Sequence, residues 1–177
     1  MSQASKHVTW CLNKAKKELD ECKKLNKRPK HRGLLEVKPN IEEAENHLKK
    51  AEENLRFATS LDVKEYGYKI VEASFYCIYQ CFLSIAIKFG YESGNQTCTI
   101  ALIEYLNEQN KINLDEKFLE IMKYKDEQKD GKYTSLIDMR EDYTYSAKIS
   151  VEREQIDELI LVCRELIEKT KQIIFTK

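Results

Sequence analysis

The run Asp138-Met139-Arg140-Glu141-Asp142-Tyr143-Thr144-Tyr145 gathers residue types that can handle an anion. A guanidinium stays charged at any physiological pH, and its planar fork of donors grips a phosphate or a carboxylate at two points. Arg140 is the candidate for that role. Glu141 and Asp142 beside it can orient it or repel a phosphate. Tyr143 and Tyr145 can donate a hydrogen bond or stack on a base. Glu72 and Ser74, from a more apolar stretch, are candidates to face the same cleft. Each has a plainer reading. Arg140 can close a salt bridge with Glu141, Asp142 or the final helix, and Tyr143 and Tyr145 can be half-buried aromatics capping a bundle.

A second candidate is electrostatic. Lys27, Arg28, Lys30 and Arg32 lie close together beside His31 and are candidates to contact phosphate or RNA. The alternative is a solvated surface loop. Residues 1–38 hold eleven Lys/Arg against four acids, net +7, so the rest of a chain with 30 bases and 30 acids carries −7. A basic front end can touch phosphate, or dock on the acidic body of a second copy. With the whole chain at zero, no global field steers it to nucleic acid or membrane.

Other chemistry is thinly represented. Phosphate-loop, dinucleotide, zinc-protease and nucleophile-elbow motifs are absent from the sequence. His7, His31 and His47 have no partner at metal-ligand spacing. Cys77 and Cys81 stand one helical turn apart, but a soft-metal site needs two more ligands. They are expected to be core filler, so no metal site and no cofactor is assigned. The six cysteines are expected to be reduced, with the cytoplasm as the default compartment. The opening MSQASKHVTW lacks the apolar run of a signal peptide, and the longest apolar region, Phe75 to Phe89, is interrupted by Gln80, Ser84 and Lys88. No membrane span is expected.

The elements that must position these groups are helical. Five Gly and two Pro in 177 residues are too few turn-formers for a sandwich or barrel of short strands. Val8, Leu12, Ala15, Leu19 and Cys22 alternate steps of four and three, which predicts a first helix over about 5–26. The segment 27–39, with both prolines and Gly33, is expected to be a loop. Asn40 predicts the cap of a second helix, with Glu42 and Glu43 favourable to its dipole. A third and most apolar helix is expected over 63–89, capped by Asp62 and ended by Gly90. Further helices are predicted over 98–108, from about Leu114, over 133–146 as a polar Tyr-rich helix or helix end, and over 151–174 with Ser150 as its cap. The fold class is therefore all-α, an antiparallel helical bundle. The basic loop divides it into a front section, 1–33, and a bundle, 34–177.

Two segments in this order resemble the HEPN family (higher eukaryotes and prokaryotes nucleotide-binding). Its central helix carries a pattern like A-Y-Y-A-I-F-H, and Ser74 to Gln80 reads S-F-Y-C-I-Y-Q. Lys88-Phe89-Gly90 is similar to that helix's end, and Arg140 followed five residues later by Tyr145 is similar to the family's Arg-x4-His or Arg-x4-Tyr motif. The resemblance covers about residues 34–175 and implies a HEPN-type bundle with an extra N-terminal helix. It implies a homodimer in which the two Arg-x4 segments share a cleft, and a minimal nucleotidyltransferase as partner. In nuclease members Arg and His assist attack of the RNA 2′-hydroxyl on the adjacent phosphate without metal.

Here the imidazole is replaced. An imidazole titrates near neutrality and a phenol does not, and loss of a general acid or base costs on the order of 10²–10⁴ in rate. The resemblance thus implies an RNA- or nucleotide-binding module of a toxin–antitoxin or defence system, with weak or no nuclease activity. The alternatives are an active metal-independent endoribonuclease using Arg140 and Tyr145, and a protein-interaction domain.

Overall fold

A computed structural model of the chain describes residues 2–123, 135–146 and 150–176. Helices hold 74% of them. In chain order these are α1 (Gln3–Lys24), β1 (Leu34–Glu36), α2 (Ile41–Ser60), α3 (Val63–Lys88), β2 (Tyr91–Ser93), α4 (Gln96–Glu108), α5 (Glu116–Glu120), α6 (Leu136–Tyr145) and α7 (Arg153–Phe175).

The caps of the middle helices follow the sequence. The Asn40 side chain accepts the Glu43 N–H, Asp62 accepts those of Lys64 and Glu65, and Asn95 accepts that of Cys98. Each satisfies backbone donors that the first helical turn leaves without a partner. Ser135 does the same for α6, accepting from Asp138. The predicted cap Ser150 is not one: α7 begins three residues later, at Arg153 behind Glu152, with no side-chain cap. The helix expected from Leu114 is five residues long.

α2 and α3 form an antiparallel hairpin, and α7 packs on both. α3 also touches α4, α6 and β2, so it lies at the centre. Its buried residues, among them Ile70, Phe75, Ile78, Phe82 and Ile85, spread over most of the helix circumference rather than one stripe, leaving a wet strip with Lys69, Glu72 and Tyr76. By length and composition alone α3 could cross a membrane, but 72% of its most apolar window is buried inside the protein.

Two departures from the sequence expectation concern the front section. The segment 27–39 is not all loop, since Leu34–Glu36 pairs antiparallel with Tyr91–Ser93, Leu35 opposite Glu92. Three residues are too few to show a period-two pattern. A glycine makes the pairing compatible with α1: a Cβ on Gly33 would lie 2.2 Å from the Cys11 carbonyl oxygen and 2.7 Å from the Ala15 nitrogen. At the other end Gly90, with φ +80°, turns the chain from α3 into β2.

The second departure is covalent. Cys11 and Cys98 form a disulfide that ties α1 to α4, so not all six cysteines are reduced. Both are fully buried. They sit among small apolar neighbours on their helices, where thiol and disulfide look alike in sequence. Cys77, Cys81 and Cys163 are buried free thiols, as core filler should be.

A cross-link spanning 87 residues restricts the unfolded chain. Cys98→Ser is expected to lower unfolding free energy by about 3–5 kcal/mol, read by chemical denaturation without reductant. A loss under about 1 kcal/mol would show that this bond does not hold α1 in place.

Candidate functional site

Arg140 sits in the middle of α6, and its side chain reaches across to α3. The guanidinium carbon lies 4.2 Å from the centroid of Phe75, within cation–π range. Phe75 is itself buried, with Tyr79 stacked beside it at 6.1 Å and Tyr76 edge-on at 5.3 Å. An aromatic floor thus carries a cation whose side chain is only 23% exposed. Among the described residues its carboxylate partner is Glu141, at 3.9 Å, too long for a hydrogen bond. The guanidinium carries its N–H donors in a planar fork suited to two-point contact with a phosphate or a carboxylate.

Tyr76 is 41% exposed. One turn before it on α3 lies Glu72, paired with Lys69 at 2.9 Å, which holds the Lys69 pKa above its ordinary value. The surface around Arg140 is therefore a strip of α3, with Lys69, Glu72 and Tyr76, beside one face of α6. Of the aromatic trio Phe75, Tyr76 and Tyr79, two belong to the core and one is available at the surface. Tyr79 is buried enough that desolvation pushes its pKa up, and its hydroxyl lies 3.4 Å from that of Thr99.

Other sequence candidates lie apart. Ser74 does not face a cleft: it is fully buried, its Oγ has no partner, and its carbonyl accepts the Cys163 thiol at 3.6 Å. It belongs to the α3–α7 core because Glu72 and Ser74, two apart, point some 200° from each other on a helix. Tyr143 is half-buried, and its hydroxyl donates to the Ser150 carbonyl at 3.1 Å, tying α6 to the start of the α7 segment. Asp142 is exposed. Tyr145 is the last residue of α6 and 84% exposed. Five residues place it about 140° around the helix from Arg140, so within one copy the two side chains diverge. Of five cavities lined by described residues, none is lined by Arg140, Tyr143 or Tyr145.

The basic loop is exposed at Lys27, Arg28, Lys30 and Arg32. It borders a cavity of about 260 Å³ that Lys27, Lys30 and Arg32 share with Glu18 and Glu21 of α1. The Glu18 carboxylate accepts the Arg32 backbone N–H at 2.5 Å. An anion entering there meets two carboxylates as well as the bases. His31 faces Glu92 at 3.3 Å.

Metal chemistry finds no footing among the described residues, where no group of three suitable side chains could hold an ion. Cys77 lies within reach of Cys163 and Cys81, and those thiols together with burial push its pKa far up, so it stays protonated. Gln80 of α3 bonds His47 of α2 at 2.7 Å.

Sequence reasoning reached Arg140 but not its support. That a phenylalanine 65 positions earlier in the chain lies under the guanidinium leaves no trace in spacing. No family model, no characterised relative and no solved structure matches the chain.

Removal of the stacked guanidinium and its stem, Arg140→Ala, should cost about 0.5–1.5 kcal/mol of stability. Tyr145→Ala, at an exposed helix end, should stay within about 0.5 kcal/mol. Urea titration of both variants checks the pair; equal losses would contradict the placement of Arg140 on Phe75.

Proposed function

We propose that this chain is a HEPN-like helical module that binds RNA or a nucleotide as a homodimer, with Arg140 as the anion contact and with weak or no nuclease activity. The observation that carries this reading is the Arg140 guanidinium, seated 4.2 Å from the centroid of the Phe75 ring beside exposed Tyr76. A cation already ordered by packing loses little side-chain entropy when it binds phosphate. An exposed aromatic next to it offers a surface on which a base can stack, a contact worth ~1–3 kcal/mol.

Two further features support the HEPN-like bundle. The α2–α3 hairpin starts at the caps Asn40 and Asp62, and α7 packs along both helices. A short helix bearing Arg140 precedes that last long helix. Divergence of Arg140 and Tyr145 within one copy fits a cleft completed by a second copy, where Tyr145 of one subunit approaches Arg140 of the other. In this reading Tyr145 binds and orients but does not exchange protons efficiently. The setting is a cytoplasmic toxin–antitoxin or defence system, with a minimal nucleotidyltransferase as partner. In that compartment the buried Cys11–Cys98 bond persists because attacking thiolates cannot reach either sulfur.

Labelled single-stranded RNA incubated with the protein in EDTA tests the proposal. The expected result is a salt-dependent mobility shift without cleavage, weakened about five- to twentyfold in Arg140→Ala. Light scattering should report a dimer. Cleavage that disappears in Arg140→Ala would identify an endoribonuclease instead, and no shift at low salt would leave a protein-interaction domain. Tyr145→His is expected to introduce slow cleavage.

A further inference from the structure

Lys88 at the end of α3, Lys111 just after α4 and Lys169 in α7 line a single cavity of about 490 Å³, within the range of small-molecule sites. Its apolar wall is Phe89, Ile112 and Ile173, the second buried and the others half-buried. Among the described residues no aspartate or glutamate lines it. Two of the three ammonium groups have no polar partner among the described residues, and the third, Lys88, donates only to the carbonyl oxygens of Ile174 at 3.1 Å and Thr176 at 3.4 Å.

This is unlike the lysines elsewhere on α5 and α7. Lys171 is bracketed by Glu52 at 3.0 Å and Glu168 at 2.8 Å, and Lys117 is paired with Glu165. Those lysines are ion-paired; the three at the cavity have no carboxylate within 4.0 Å among the described residues, although Lys169 also borders a second cavity with Asp115, Glu165 and Glu168. Three positive charges around a concave, low-dielectric wall concentrate a positive potential that attracts an anion. The wall beneath them rewards an apolar body over a fully hydrated ion.

We propose that this cavity is a binding site for a small amphiphile with an anionic head, a carboxylate or a phosphate monoester on a short alkyl chain. The head sits among Lys88, Lys111 and Lys169, and the chain lies on Phe89, Ile112 and Ile173. The site is separate from Arg140 and does not rest on the nucleic-acid reading.

Calorimetric titration with octanoate, octyl phosphate, inorganic phosphate and octyltrimethylammonium, all below micelle formation, tests it. Octanoate or octyl phosphate should bind, the tighter of the two identifying the head. Inorganic phosphate should bind at least tenfold more weakly, and the cationic amphiphile not measurably. Raising salt should weaken binding. Lys111→Ala and Lys169→Ala should each weaken it about three- to tenfold with an unchanged circular dichroism spectrum. Lys88 is left in place because it bonds the end of α7. The proposal is overturned if neither anionic amphiphile binds at low salt, if the cationic one binds as well, or if the double lysine variant, folded, binds like wild type.

Discussion

α3 can fold only if most of its circumference is covered. A helix with Ile70, Phe75, Ile78, Phe82 and Ile85 all but removed from water has only a narrow wet strip, at Lys69, Glu72 and Tyr76, so α2, α4, α6 and α7 are required around the rest of it. The remaining architecture follows from that demand. α2 and α7 cover two sides as a hairpin partner and a long return helix. α6 covers the part of α3 near Phe75, and because α6 carries Arg140 there, the cover is a cation on an aromatic ring rather than another apolar side chain. The candidate site is thus a by-product of how the most apolar helix is roofed.

The same constraint explains the buried cysteines. Cys77, Cys81 and Cys163 fill the α3–α7 contact as small apolar groups, and Ser74 is drawn into the same layer with its hydroxyl unpartnered. An unpaired buried hydroxyl is costly. The front section is held by different means. α1 covers α4 with Val8, Cys11 and Ala15, and its attachment is completed by the disulfide and by the approach of Gly33 to its backbone.

Much of the helical layout was legible because local chemistry and tertiary demand agree. Asn40, Asp62 and Gly90 mark ends that the structure uses, while the predicted stripe of α1 is buried at Val8 and Ala15 and only half-buried at Leu12, Leu19 and Cys22. What was not legible is long-range. The pairing of Leu34–Glu36 with Tyr91–Ser93 involves strands too short to carry a period. The Cys11–Cys98 bond joins residues whose spacing says nothing about proximity. Arg140 stood out by its residue type and neighbours, but its seat on Phe75 is set by the packing of α6 across α3. Tyr145 read as its companion through a motif, whereas the helix carries the two to different faces. The lysines of the α3–α4–α7 cavity come from three elements and read separately as ordinary surface charge.

The claim that an ordered guanidinium lies on the Phe75 face is most directly tested by nuclear magnetic resonance of the Arg140 side chain. Protons over an aromatic ring are shielded, so the Arg140 δ-methylene resonances should lie well upfield of those of an exposed arginine and return towards them in Phe75→Leu. Exposed-arginine shifts in the wild type, unchanged by that substitution, would contradict the account.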